Sequence, residues 1–120
     1  MRKKILLVDD EADIRELMIL RLEKAGYRIE TVADGQEALD SVERDPPDLV
    51  LLDLRLPGMR GEEVCRRLKA DDKLKRIPII LFTASVKHIC EEFKECGADD
   101  CLVKPFEPAE LLEKIKKFVK

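Results

Sequence analysis

Leu49-Val50-Leu51-Leu52 runs straight into Asp53. An unbroken apolar run describes a strand covered on both faces, as in a parallel sheet. A strand with one wet face would alternate instead. A carboxylate directly after such a strand stands at the carboxyl edge of the sheet. Outward from Asp53 the same arrangement repeats. Ile5-Leu6-Leu7-Val8 leads into Asp9-Asp10-Glu11, Ile77 to Phe82 leads into Thr83-Ala84, and Asp100 to Val103 leads into Lys104-Pro105. Arg28 to Val32 alternates more, as an edge strand would.

Between these strands lie segments with helical spacing. Asp10 is placed to cap a helix with Ile14, Leu17, Met18, Leu22 and Ala25 on one face, stopped at Gly26. Asp34-Gly35 opens a second helix with Ala38, Leu39 and Val42 inward, ending before Pro46-Pro47. Val64, Cys65 and Leu68 mark a third, and Val86, Ile89, Cys90 and Phe93 a fourth that stops at Gly97. Leu111, Leu112, Ile115, Phe118 and Val119 share one face of a fifth. Five strands and five helices in strict alternation predict an α/β fold, an open, parallel, doubly wound sheet, since crossovers between parallel strands are right-handed.

The 120 residues suit a single domain over 1–120, and no repeat or linker divides them. Net charge is −3, which argues against a direct nucleic-acid surface, whose usual mark is a basic patch. No apolar run reaches the length of a signal-peptide core or a membrane span, so a cytoplasmic protein with no membrane partner is expected. Cys65, Cys90, Cys96 and Cys101 include no CxxC pair, and with His88 they match no familiar zinc spacing. They are read as reduced thiols packed as small hydrophobes.

In a doubly wound sheet, ligands bind outside the carboxyl ends of the strands. The residues there are Asp9, Asp10 and Glu11, Asp53, Thr83 and Lys104. Carboxylates gathered at one edge repel one another, and a hard divalent cation held by oxygen ligands, Mg²⁺, is the natural compensator. An acceptor carboxylate, a metal, a lysine and a hydroxyl donor are the minimal parts for phosphoryl transfer to aspartate. Each residue also has a plainer reading, as a helix cap or a surface lysine. It is their joint placement at strand ends that favours chemistry.

Four segments carry a family resemblance: Ile5-Leu6-Leu7-Val8-Asp9-Asp10-Glu11, Leu51-Leu52-Asp53-Leu54-Arg55-Leu56-Pro57-Gly58-Met59, Phe82-Thr83-Ala84 and Leu102-Val103-Lys104-Pro105-Phe106. In order, spacing and placement the chain resembles the response-regulator receiver domains of two-component signalling, over its whole length. The resemblance implies the flavodoxin-like strand order 2-1-3-4-5. It implies Asp53 as phosphoacceptor and Asp10 as a Mg²⁺ ligand, with Asp9 helping directly or through water. Arg55 would offer its backbone carbonyl to the metal. Thr83 would hydrogen-bond a phosphoryl oxygen, Lys104 would pair with the phosphoryl group, and the Lys104-Pro105 peptide is expected to be cis.

By the same resemblance, the donor is a phosphohistidine on a sensor histidine kinase or a histidine phosphotransfer protein. The surface of the fourth helix, fifth strand and fifth helix would then signal to a downstream protein or a fused output domain. The chain would be a monomer or weak dimer, and no enzyme beyond catalysing its own phosphorylation and slow dephosphorylation. One position departs from the pattern. Three residues before the lysine, where receivers usually carry an aromatic ring, stands Cys101; either the surface response is altered or weakened, or Cys101 is simply a buried small residue. Arg55 and Ser85 flank the expected phosphoryl group, and Arg60 stands where an acid is common.

Rival readings fit less well. A flavin site wants a phosphate-cradling loop after the first strand, where Asp9-Asp10-Glu11 would repel phosphate. An aspartyl phosphatase wants a second acid two residues after the nucleophile, where Arg55 stands. A docking module that is never phosphorylated keeps the fold without the chemistry.

Overall fold

A computed structural model describes residues 2–83 and 95–119. The elements are β1 (Lys4–Val8), α1 (Ala12–Lys24), β2 (Arg28–Val32), α2 (Gly35–Arg44), β3 (Leu49–Asp53), α3 (Gly61–Ala70), β4 (Ile79–Thr83), β5 (Asp100–Val103) and α4 (Pro108–Phe118). The strands form one parallel sheet in the order β2-β1-β3-β4-β5. Four helices are thus described against five predicted. The predicted helix carrying Val86, Ile89, Cys90 and Phe93 lies outside the described residues, as do Ala84, Ser85 and His88.

Side chains along a strand alternate between faces. Ile5, Leu7, Leu49, Leu51, Ile80 and Phe82 meet Met18 and Leu22 of α1 and Leu111 and Ile115 of α4. Leu6, Val8, Val50, Leu52, Ile79 and Leu81 meet Ala38 and Val42 of α2 and Val64, Cys65 and Leu68 of α3. The two cores explain why the central strands show no polar alternation: every position is inside.

The helix ends follow local chemistry with one correction. Asp34 caps α2 by accepting from the Glu37 N–H at 2.8 Å, and Gly26 leaves α1 with φ 101°. Asp10 does not cap α1. The helix begins at Ala12 behind Glu11, and the Asp9 carboxylate accepts from the Glu11 N–H at 2.9 Å. Asp10 is thereby left free to face the sheet edge. The apolar stripe of α1 is also narrower than predicted, since Leu17 is 48% exposed while Met18 and Leu22 are buried.

Lys4 is a lysine at a buried strand position. Its ammonium lies 2.7 Å from Glu30 and 2.8 Å from Asp45. Burial disfavours its charge, but the hydrogen bonds and charges of the two acids outweigh this and hold the lysine above its usual value. The contact with Lys4 in turn holds Glu30 and Asp45 below theirs. Carboxylates depressed in the fold contribute stability that is present above their unfolded values and lost as pH falls through the folded ones. Lys4→Met is expected to destabilise by about 1–2 kcal/mol at pH 7, as loss of a charge-assisted contact does. The deficit shrinks toward pH 3 as the acids protonate, and urea unfolding at both pH values checks it.

Candidate functional site

The sheet register builds the site. Val8 pairs with Leu52, so the next residues, Asp9 and Asp53, emerge side by side. Asp53 pairs with Phe82 and Thr83 with Val103, which brings Thr83 and then Lys104 to the same edge. Asp9, Asp53 and Thr83 are buried, whereas Asp10 is exposed. Asp9, Asp10 and Asp53 each offer a carboxylate oxygen, and the three oxygens lie within 4.8 Å of one another. Among the described residues this is the one such gathering of metal-ligating side chains.

Lys104 closes the site from β5. Its Nζ lies 3.3 Å from Asp9 Oδ2 and 3.4 Å from Asp53 Oδ2, and its N–H donates to the Thr83 carbonyl at 2.8 Å. The Lys104-Pro105 peptide is cis, as expected. Burial raises the Asp53 carboxyl above its ordinary value. The Arg55 N–H, donating to Asp53 Oδ1 at 3.1 Å, and the Lys104 charge oppose that rise, while the neighbouring Asp9 charge adds to it. Three carboxylates against one ammonium leave two negative charges at the edge. The donors are all oxygen and the imbalance is two, which fits a hard divalent cation.

Three supporting residues make contacts that the sequence pattern does not mark. Arg15 Nη1 donates to the Asp9 carbonyl at 2.7 Å and so fixes the backbone of the acidic pair. Gly61 lies so close to the end of β3 that a Cβ there would meet the Asp53 carbonyl oxygen and stand 2.7 Å from Leu54 Cα. Phe82 places its ring 4.7 Å from Lys104 Nζ. Nothing in the pattern of one chain marks a contact between distant backbones, or one between a ring and an ammonium.

Beside the site the surface opens in two places. One hollow of about 370 Å³ is lined by Asp10, Leu54, Arg55, Leu56, Pro57 and Arg60. A more apolar one of about 400 Å³ lies between Ile14, Leu17 and Met18 of α1 and the Lys104-Pro105-Phe106 turn.

The sequence model of the response regulator receiver domain matches residues 5–116. The chain belongs to that family. The receiver is 43% identical over 97% of its length to the DNA-binding response regulator MtrA of Mycolicibacterium paratuberculosis, covering 51% of that protein. It is 46% identical over 95% of its length to the phosphate regulon transcriptional regulatory protein PhoB of Pseudomonas aeruginosa, covering 50%. It thus spans about half the length of these curated relatives. Among solved structures, the receiver domain of a Pseudomonas aeruginosa sensor histidine kinase superposes with a TM-score of 0.92 at 35% identity, covering 98% of each chain. That structure is described with a magnesium ion coordinated in its active-site cleft. The receiver is therefore a module of the two-component type, with the strand order predicted for it.

Of the cysteines, Cys65 and Cys96 are buried, Cys101 is half-buried, and Cys90 lies outside the described residues. Cys101 packs against the core formed with α2 and α3. No described helix is long and apolar enough to cross a membrane.

Proposed function

We propose that this receiver takes a phosphoryl group onto Asp53 from a phosphohistidine of a sensor histidine kinase or a histidine phosphotransfer protein, with Mg²⁺ held by Asp9, Asp10, Asp53 and the Arg55 carbonyl. The observation that carries the reading is the convergence of three carboxylates within 4.8 Å beside one lysine. An exposed acidic cluster alone would mean little. Here two of the three acids are buried, and the strand register sets them there.

In the reaction, an Asp53 carboxylate oxygen attacks phosphorus in line with the leaving imidazole. The new P–O bond forms as the P–N bond breaks, and the imidazole leaves to take up a proton from water. A bound Mg²⁺ supplies neutralisation of the charge on the transferring oxygens. Lys104, already shared between Asp9 and Asp53, would pair with one of those oxygens, and the Thr83 hydroxyl would donate to another. The Arg55 N–H on Asp53 Oδ1 holds the carboxylate so that one oxygen stays committed while the other reacts. Drawing Thr83 toward the phosphoryl group pulls on the end of β4, a local electrostatic event that biases a two-state surface around β5 and α4.

The partner is expected to approach over the apolar hollow between α1 and the Lys104-Pro105-Phe106 turn, whose lining includes the Lys104 that contacts Asp53. Half-exposed Leu17 and exposed Leu20 lie on this helix, where an isolated receiver gains nothing by showing them. The output is a downstream protein or a fused effector domain, as the names of the longer relatives suggest, and the setting is cytoplasmic. Nucleic acid is then met by the effector and not by this acidic module. The chain acts as monomer or weak dimer and catalyses its own phosphorylation and slow hydrolysis.

Incubation with acetyl phosphate and Mg²⁺ tests the reading by intact mass. One phosphoryl group is expected on the wild type, and none after Asp53→Asn or with excess chelator. Labelling that survives Asp53→Asn at the wild-type rate would reduce the protein to a docking module with incidental chemistry elsewhere.

A further inference from the structure

The Asp9 and Asp53 carboxylates hold the Lys104 ammonium only loosely. Its two N···O distances, 3.3 and 3.4 Å, exceed the roughly 2.7–2.9 Å of a firm charge-assisted hydrogen bond. Neither acid alone fixes the ammonium. Among the described residues an aromatic face also lies against it. The Phe82 ring centroid lies 4.7 Å from Nζ, well within the range in which a ring quadrupole attracts a cation.

That ring cannot easily swing away. Phe82 is 1% exposed, packed with Ile80, Leu102 and Leu111, and Phe106 meets it edge-on with centroids 6.4 Å apart and planes at 87°. The lysine side chain is only 18% exposed, so the attraction acts in a poorly hydrated place, where it is strongest. At its other end Lys104 is tied by its own N–H to the Thr83 carbonyl at 2.8 Å. The stem is anchored by backbone and the head by a ring.

We propose that Phe82 is a positioning residue for phosphoryl transfer, its ring holding the Lys104 ammonium between Asp9 and Asp53 without neutralising it. The proposal rests on the phosphoacceptor reading above. The chemistry favours a ring over a further acid at this place. A third carboxylate would bind the ammonium tightly before the phosphoryl group arrives and would have to be displaced. A ring face confines the cation yet competes weakly with incoming phosphoryl oxygens, so the interaction gained in the transition state is not spent beforehand.

The test uses Phe82→Leu and Phe82→Met, which keep an apolar side chain and remove the π face, together with Lys104→Met and the matching double variants. At saturating Mg²⁺ the initial rate of labelling by acetyl phosphate is expected to fall about fivefold in the Phe82 variants, the size of a single partly desolvated cation–π contact. Their Mg²⁺ affinity should stay within about twofold of wild type, because the acids keep their places. In metal-free protein, the summed thermal-midpoint losses of the two single variants should exceed the loss of the double variant by roughly 3–5 °C, the signature of two groups that touch. The cycle includes a conservative apolar change, so a merely structural Phe82 gives additive losses. Unchanged labelling in both Phe82 variants, additive midpoints, or a parallel loss of Mg²⁺ affinity would each overturn the proposal. A wild type that takes no label would instead defeat the phosphoacceptor reading, and the midpoint cycle still reports on the ring and the ammonium.

Discussion

Gly61→Ala is expected to lower the thermal midpoint of the metal-free protein by roughly 10–15 °C, equivalent to about 3 kcal/mol for a domain of this size. The first helical residue of α3 lies against the last residue of β3. Its N–H donates to the Leu54 carbonyl at 3.0 Å, and an added methyl would press on the Asp53 carbonyl and on Leu54 Cα at 2.7 Å. Those neighbours are backbone, within and just beyond a fully buried strand, and cannot turn aside as a flexible side chain could. The strand end must move, and Asp53 moves with it, so labelling by acetyl phosphate should fall along with stability. Gly58→Ala is the control. Gly58 has φ 76° with open space around it, so the substitution costs only the left-handed strain of about 1 kcal/mol. Equal losses at the two glycines, by thermal melts in parallel, would show that the close approach at Gly61 is unimportant.

Asp53→Asn should have two opposite effects: complete loss of phosphoryl labelling and a metal-free midpoint higher by roughly 3–5 °C. Burial and the Asp9 charge hold the Asp53 carboxyl above its ordinary value against the opposing Arg55 N–H and Lys104. A carboxyl raised in the fold is one whose ionisation costs stability. That cost is complete at neutral pH and is relieved as pH falls through the folded value toward the unfolded one near 3.8. Asparagine carries no such charge, and Lys104 keeps its partner Asp9. The advantage of the variant should therefore be clear at pH 7 and vanish near pH 4. Saturating Mg²⁺ should reverse the ranking, because a ligand bound only by the folded wild type stabilises it. A midpoint lowered by Asp53→Asn at pH 7 without metal would mean that the acids do not strain one another.

Much of this was legible in the sequence because strand ends carry the chemistry. Leu49 to Leu52 announced a buried strand, and Asp53 directly after it marked where the proposed acceptor stands. The same logic placed Asp9, Thr83 and Lys104, and the sheet register then brought them together. What the sequence hid were contacts between segments distant along the chain. Lys4 reads as one more basic residue before an apolar run, yet it is buried because Glu30 of β2 and Asp45 after α2 meet it there. Gly61 reads as a loop glycine, whereas its need comes from a backbone approach and not from its own torsion angles. Asp10 looks like a helix cap because the apolar periodicity starts just after it, but the Asp9 carboxylate takes the Glu11 N–H instead. Leu17 fits the helical stripe by spacing and is still half exposed, lining the open hollow beside the Lys104-Pro105-Phe106 turn.

The most direct measurement is to treat the wild type with acetyl phosphate, with and without Mg²⁺, reduce the product with borohydride, and map the converted residue by peptide mass. Reduction of an acyl phosphate turns the bearing aspartate into homoserine, a stable mark. Homoserine at position 53 only, and only with Mg²⁺ present, is the predicted result. Conversion at another carboxylate, or at Asp53 to the same extent without the metal, would contradict the account.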